Sequence, residues 1–579
     1  FYIDLSAINK KNICYYFLTK TYPMNKVALI FLLFSISQSY SQSFEWAKNV
    51  GSDDRDVGYA ITLDDVGNVY ITGAFQGVSD FDPSGGEFEL ESIGGYDIFV
   101  LKLTSEGSLV WAKSMGGDGN ETGTALKIDK DGNLIVVGNY EETVDFDPDG
   151  GVSNLTSAGG EDIFILKLNL DGDFIWAKSV GGPDAEDGHS VACDNDGRIL
   201  VTGSFEGTTD FDPGAAVFNH TSEGGEDIFI LQLNSGGELN WAKRIGGTFD
   251  DRGNGIEVDG WGNVYVVGQY YFSSVDFDPN EGTYILGNYG AREAFVLKLD
   301  VEGSFNWAKR IGGEWNEIGV AIAIGPAGYV YVTGMFQGTV DFDTGDGVDY
   351  LSAEFGLDIF LLKLDQEGIY KWANHMYASG WEYVYAIDID RNGQVYITGV
   401  ESNTSGPGSL HNIIVISKVN VDGSPIWVQK IGHLSSDERA YGIAVDAYSN
   451  VYITGEFENE IDFDPSEGGV FELEPNGTSI ASDAFILKIA AEEDVGIHNS
   501  EDLEMNIYPN PACNRITLDF SKDLNNTDVQ IYDLMGKLVL QAKVLSNTID
   551  VSGLSNGTYY FNLRLASGDT LLKRFVVNR

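Results

Sequence analysis

"DIFILKLNLDGDFIWAKSVGG" at residues 162–182, followed by "GRILVTG" at 197–203, is the stretch on which the fold turns. Two β-rich runs flank a turn containing Gly172, and a third run follows after a pair of glycines. Copies lie on both sides: "GGYDIFVLKL" (94–103), "GGEDIFILQL" (224–233), "WAKSMGG" (111–117) and "WAKRIGG" (241–247 and 307–313). Trp46, Trp111, Trp176, Trp241, Trp307, Trp372 and Trp427 mark the period, spaced 65, 65, 65, 66, 65 and 55 residues. Between the copies stand hairpin signatures such as "AITLDDVGNVYITG" (60–73) and "GIAVDAYSNVYITG" (442–455), with Asp, Gly or Asn at the turn.

Each repeat therefore supplies four strands in a meander, as at 60–64, 68–75, 97–103 and 108–115. The strand 97–103 is apolar on both faces, Phe99, Leu101 and Leu103 alternating with Ile98 and Val100. A two-layer sandwich leaves one face polar, whereas a propeller blade is covered on both sides by its neighbours. The seventh repeat ends at "DAFILKIA" (483–490) with no Trp strand after it, and an unmatched Trp strand, "SFEWAKNVG" (43–51), precedes the first. The chain thus reads as all-β, a seven-bladed β-propeller over 42–490 closed by its N-terminal strand. Trp46 is expected in the seventh blade near Phe485 and Leu487.

These residues resemble the bacterial seven-bladed propeller family of SBBP repeats, over roughly 43–490. The resemblance implies the fold and no particular activity, because the family has no shared catalytic function. Repeat six departs from it: "GVESNTSGPGSLHNIIVISKV" (399–419) is shorter and lacks the "DFDP" found in other copies.

Both ends read as addresses. "MNKVALIFLLFSISQSYSQS" (24–43) has a basic start, an apolar run too short to span a bilayer, and small residues before a cut, so 24–41 reads as a secretory signal peptide. Residues 1–23 read as upstream extension. After a polar acidic linker, 491–502, come "YPNP" (508–511), "YDLMGK" (532–537), "LSNGTYYF" (554–561) and a terminal Lys-Arg with apolar residues. Period-two alternation around Val529 and Ile531 predicts a small immunoglobulin-like β-sandwich over 503–579. The motifs resemble the type A C-terminal sorting domain of the type IX secretion system. That implies a Gram-negative bacterium, Sec export to the periplasm, passage across the outer membrane, and the secretion machinery as partner.

Acidic residues outnumber basic ones 88 to 35, a formal charge of −53, which disfavours nucleic acid. Cys14, Cys193 and Cys513 lie in three different segments and imply no disulfide framework or thiolate zinc site. The six histidines show no metal-ligand spacing, and no nucleophile elbow, HExxH or phosphate loop occurs, so no catalytic residue and no organic cofactor is assigned. Trp261, Trp315 and Trp381 fall outside the repeated Trp position and are candidates for ring stacking with a ligand.

The corner "DFDP" stands at 80–83, 145–148, 210–213, 276–279 and 462–465, with "DFDT" at 341–344. In an extended segment Asp145 and Asp147 face one way and Phe146 the other. One reading is a strand-ending corner whose carboxylates accept loop N–H groups, closed by Pro148. The other is calcium, with oxygen ligands at positions 1, 3 and 5: Asp80, Asp82 and Ser84; Asp145, Asp147 and Asp149; Asp276, Asp278 and Asn280; Asp462, Asp464 and Ser466. The first copy adds an acid at position 12, Glu91.

A rigid ring of loops suits a secreted or surface-displayed binding or adhesion module, its glycan or protein ligand held by the variable loops 84–96, 149–161 and 214–226 on one rim. The alternative is an extracellular polysaccharide-active hydrolase or lyase, with acids from different blades meeting at the central channel.

Overall fold

The structure, a computed structural model, describes residues 43–491 except 346, 354–355, 377–380, 404–410, 433–436, 467–468 and 477–480. In the C-terminal part it describes 505–508, 515–520, 528–533, 538–543, 548–564 and 570–577. The expected upstream extension, the signal peptide and nearly all of the linker lie outside the described residues.

Seven four-stranded antiparallel sheets form the blades of a propeller. Blade one runs Val57–Leu63, Val69–Phe75, Asp97–Leu103 and Leu109–Met115, each strand paired with the next. Blades two to six repeat that order. Blade seven takes Arg439–Val445, Val451–Phe457 and Asp483–Ile489 from one end of the array and Phe44–Val50 from the other. Ala47 pairs with Leu487 and Asn49 with Phe485, so the N-terminal strand closes the ring. Trp46 sits in blade seven as expected, but on the face away from Phe485 and Leu487. Parity decides it: Trp46 lies opposite Lys488, packs edge-on to Tyr452 at 6.3 Å, and its Nε1 donates to Ser105 O of blade one at 3.2 Å.

The middle strands explain the seams. All seven residues of Asp97–Leu103 and of Val69–Phe75 are buried, so each blade offers an apolar face to both neighbours. Each such buried aliphatic or Phe side chain contributes about 1.5–3 kcal/mol. One core cluster joins Leu200, Ile228 and Ile230 of blade three to Val264, Val266 and Phe295 of blade four. The repeated Trp adds a polar stitch: Trp111 and Lys102 both donate to Leu170 O in the next blade, as Trp307 and Lys298 do to Gln366 O.

The glycine pair that follows four of the seven Trp strands answers to a buried acid. A Cβ at Gly181 would lie 2.0 Å from Asp162 Cγ, and one at Gly116 2.0 Å from Asp97 Cγ. Two such rings of buried carboxyls line the blade ends. Asp56, Glu121, Glu186, Asp251, Glu317, Glu382 and Glu438 stand at the entry to the innermost strands, and Asp97, Asp162, Asp227, Asp358 and Asp483 at the third strands.

The first strand starts at Val57, three residues earlier than the hairpin signature indicates, because a bulge extends it (below). An added two-stranded hairpin bridges the second and third strands, Val78–Asp80 with Glu89–Glu91 in blade one. Among the described residues blade six has none; Val395–Asn403 and His411–Val419 are instead nine residues long. The C-terminal residues form two antiparallel sheets, one of Met505–Tyr508, Arg515–Phe520 and Thr548–Asp550, the other of four strands between Asp528 and Val577. Val529 and Ile531 are buried, in keeping with their alternation. No helix among the described residues is long and apolar enough to cross a membrane.

Candidate functional site

The innermost strands line the central channel, and each carries a bulge at the same place. The bulged residues Tyr59, Thr124, His189, Asn254, Val320, Tyr385 and Tyr441 point into a cavity of about 260 Å³. The next residue is small in every blade, from Ala60 to Gly442, and this lets seven strands converge. On one side each bulge reaches the following blade: Thr124 Oγ1 donates to Gly188 O at 2.5 Å, His189 Nδ1 meets Gly253 O at 2.9 Å, and Asn254 Nδ2 donates to Gly319 O at 2.7 Å. Burial holds the His189 pKa below its ordinary value. On the other side Tyr441 packs on Tyr59 and Tyr385, with centroids 5.2 and 5.0 Å away.

Deeper in the channel Lys127 of blade two crosses to Glu257 of blade four, Nζ to Oε1 at 2.7 Å. Asp388 of blade six is close enough to raise the Lys127 pKa further, after Glu257. Burial pushes Asp388 up to about 6. Its two oxygens accept Ile389 N at 2.8 Å and Val445 N at 2.7 Å. Glu257 Oε2 accepts Val258 N at 3.1 Å. Lys127 is thus a plug between carboxylates that the backbone also holds.

The two ends of the ring differ. At the turn end the first and second strands of each blade meet in tight turns; at the corner end lie the DFDP corners and the loops entering the innermost strands. Two positions of the corner end break the repeat toward exposed aromatics. Two residues before the buried entry acid, blades one to three have Asp54, Gly119 and Asp184, whereas blades four and five have Phe249 (46% exposed) and Trp315 (55%). After the second strand, at a positive φ, stand Gly77, Glu142, Gly207 and Gly338, but blade four has Phe272, φ 43° and 59% exposed. A bulky side chain there is strained by about 1–2 kcal/mol. Phe249 and Phe272 meet at 5.5 Å. The extra residue that lengthens one Trp spacing to 66 lies in this segment, "GQYYFSSVDFDP" (268–279) against "GSFEGTTDFDP" (203–213).

Arginines collect on the same face. Arg244 pairs with Glu223 at 3.2 Å and with Asp227; Arg310 pairs with Glu293 at 2.8 Å and lies over Tyr289 at 4.5 Å; Arg252 pairs with Glu226. Arg292 lies over Tyr271 at 4.5 Å. Outward of Phe249 and Phe272, a cavity of about 450 Å³ is lined by Glu223, Arg244, Thr248, Ser273, Asp276 and Asp278. Across the channel mouth, Arg55 and Arg439 share Glu456, at 2.8 and 3.3 Å, and Tyr441 Oη donates to the same carboxylate at 2.7 Å. Burial works against the Glu456 charge, but Arg55 holds its pKa below the ordinary value.

The DFDP corners share one geometry. Asp80 Oδ1 accepts Asp82 N and Phe88 N, both at 2.9 Å; Asp145 Oδ1 accepts Asp147 N at 3.1 Å and Ser153 N at 2.8 Å. Asp276 and Asp462 do the same for Asp278 and Tyr284 and for Asp464 and Phe471. The second acid caps the turn: Asp82 accepts Ser84 N, Asp147 accepts Asp149 N, Asp278 accepts Asn280 N and Asp464 accepts Ser466 N. Phe81, Phe146, Phe277 and Phe463 are buried between the second and third strands. The ladder ends at Asp145, before Pro148, because the carboxylate takes over the backbone donors. Asp149 instead reaches Lys113 at 2.5 Å, and Glu91 stands opposite Val78 in the hairpin. Among the described residues no three His, Cys, Asp or Glu are placed to hold a metal ion.

The three stray tryptophans are not one site. Trp315 is on the corner end, Trp261 is exposed in a turn at the turn end, and Trp381 opens the innermost strand of blade six. The aromatic and arginine patch and the bulge ring escaped the sequence reading. The doubled aromatics "YYF" (270–272) and the 66-residue spacing were the available signals.

Burial raises the entry acids, Asp56 to about 7, Glu121 and Glu186 to about 8, and Asp251 and Glu317 to about 7. It also raises Asp97 to about 7 and Asp162 and Asp483 to about 6.

Residues 506–578 match the family of secretion system C-terminal sorting domains. Two curated proteins are similar over part of the chain. An uncharacterized WD repeat-containing protein of Acanthamoeba polyphaga mimivirus is 23% identical over 445 residues, 61% of this chain and 32% of that protein. The regulatory protein FlaEY of Caulobacter vibrioides is 27% identical over 155 residues, 26% of this chain and 16% of that protein. The chain therefore spans about a third and about a sixth of the length of these curated relatives. Among solved structures, a protein of unknown function from Bacteroides caccae is 12% identical with a TM-score of 0.31, covering 57% of this chain and 89% of that one. PorZ, a surface component of the type IX secretion system of Porphyromonas gingivalis, is 14% identical with a TM-score of 0.25, covering 92% and 81%. The tail is a sorting domain of the type IX secretion system, and it marks the propeller for export to the cell surface or the medium.

Proposed function

We propose that this exported propeller is a binding or adhesion module that takes its ligand on the corner-end face, between the channel mouth and blades four and five. One observation carries the reading: on that face three exposed rings in two adjacent blades, Phe249, Phe272 and Trp315, stand where other blades mostly have Gly or Asp, one of them in a strained backbone. Exposed rings rimmed by charge are the composition of recognition surfaces, and no packing need is met by placing them in water.

The catalytic reading has one observation in its favour, the meeting of Glu257 and Asp388 across the channel. It is the weaker one, because general acid–base work needs a carboxyl oxygen free to exchange a proton with a substrate. Here Lys127 and backbone N–H groups already occupy them. The test is a glycan array probed with the mature chain, with product analysis on every hit. Binding without turnover, weakened in Phe249→Ala and Trp315→Ala, supports the module. Release of shortened saccharides that stops in Glu257→Gln would replace it with the enzyme.

A further inference from the structure

Arg292 opens the third strand of blade four, beside buried Glu293. In blades one, two, three and five its place is held by Tyr96, Glu161, Glu226 and Leu357. The seam before it shows what an acid does there: Glu226 reaches into the next blade and takes Arg252, Oε1 to Nη2 at 2.8 Å. At the following seam the counterpart of Arg252 is Ile318, which has no charge to offer. Arg292 therefore has no carboxylate partner among the described residues, and its Nε is buried without an acceptor. Its guanidinium lies over the Tyr271 ring, 4.5 Å from the centroid. Burial, and then the nearby Arg252, lower its pKa from the ordinary arginine value.

Of the described arginines on this face, Arg55, Arg244, Arg252, Arg310 and Arg439 each hold a carboxylate; Arg292 holds none and stands beside a second cation, Arg252. The loop bearing Trp315 is tied to it, Trp315 O accepting Ala291 N at 3.0 Å and Arg292 N at 3.3 Å. The planar fork of Arg292 matches a carboxylate or sulfate, and the rings of Phe249, Phe272 and Trp315 stand ready for flat, weakly polar ring faces.

We propose that Arg292, backed by Arg252, is an anion subsite that receives the acidic group of a charged saccharide whose sugar rings stack on these aromatics. The proposal rests on the binding-module reading and adds the ligand's charge to it. A chain of net charge −53 repels polyanions, so the fitting ligand carries isolated acidic groups among neutral sugar units.

The test is calorimetry of the mature chain with three oligosaccharides of one backbone: one bearing a single uronate, its carboxyl-reduced counterpart, and one bearing a single sulfate. An added charge-assisted hydrogen bond makes an acidic form bind about tenfold tighter than the reduced form. Arg292→Leu makes the forms equal, whereas Trp315→Ala weakens all three and keeps their ratio. Arg292→Lys, which keeps the charge and loses the fork, retains part of the preference and serves should the leucine variant not fold. Whichever acidic form binds tighter identifies the group the subsite accepts. Equal binding of acidic and reduced forms by the wild type, or a preference that survives Arg292→Leu, overturns the subsite and leaves the binding face standing. Failure of all three to bind, together with no hit on the array, overturns both.

Discussion

The seam between blades seven and one and the seam between blades four and five are built on the same frame and treat their arginines in opposite ways. At the first, Arg55 and Arg439 converge on Glu456, which also accepts Tyr441 and Ser482, so charge and hydrogen bonds are satisfied. At the second, Arg292 is left to an aromatic ring, and Phe272 holds a strained backbone conformation in order to face water. Both seams bury the same apolar strands. Where two parts of a repeat are equally well packed, the one that spends free energy on an unpaired charge and strain is the one shaped by something other than folding.

The comparison is broken most forcefully at the closing seam. Removal of residues 43–51 takes the outer strand from blade seven and exposes the edge of Asp483–Ile489, so stability should fall by about 5 kcal/mol or more in denaturant melts. A deletion variant that melts like the wild type would show that the ring is held elsewhere.

Glu456→Ala should come next, at about 3 kcal/mol, because it strands Arg55 and removes the acceptor of Tyr441 and Ser482, while Arg439 keeps Asp437. Arg292→Leu, by contrast, should leave the melting temperature within about a degree, since it removes no carboxylate contact. Equal losses in the two variants would erase the difference between the seams.

The buried carboxyls give the whole ring a pH dependence of unusual sign. Their folded pKa values, about 6–8, exceed those of the unfolded chain, so the native state binds more protons between them. Their contribution is fully present below the unfolded carboxyl range near pH 4 and is lost as the pH rises to about 8, lowering the melting temperature by roughly several degrees. Glu456 works the other way: its pKa is depressed, and its contribution disappears only when the pH falls below the carboxylate range. A melting temperature that rises steadily from pH 5 to pH 8 would contradict the burial of these acids.

At the corners, Asp145→Ala should cost about 1–2 kcal/mol by releasing the N–H groups of Asp147 and Ser153. We expect calcium to leave the wild-type melting temperature unchanged. A calcium-dependent rise abolished in Asp82→Ala would instead establish the ion at Asp80, Asp82, Ser84 and Glu91.

The smallest effect sharpens the comparison most. Phe272→Gly should leave stability unchanged or raise it by up to about 1 kcal/mol, as the backbone strain is relieved. The same change should weaken ligand binding. A marked loss of stability would show that the exposed ring serves packing after all.

The architecture was legible in the residues because its determinants are local and repeated. Period-two apolar strands, turn glycines and a Trp every 65 residues are enough to count seven blades, and the stray Trp46 strand is enough to close them. The sorting tail was legible for the same reason, as motifs contiguous in the chain. The meaning of DFDP was only half legible: alternation placed Phe146 inward, but the donors that occupy Asp145 come from loop residues that no pattern marks. Trp46 went to the face opposite the one expected because side-chain parity depends on the exact register with a strand more than 430 residues away.

Composition and periodicity by themselves determined the all-β fold and the blade count, and the tail motifs, through their resemblance to sorting domains, supplied the export address. Tertiary structure alone decided the site. The bulges are set within each blade, but their seven side chains meet only because seven blades converge on one channel, and the bridge from Lys127 to Glu257 and the isolation of Arg292 turn on residues of a different blade. A charge is paired or unpaired only by what stands across the seam, and that neighbour comes from another turn of the repeat, out of reach of any local pattern.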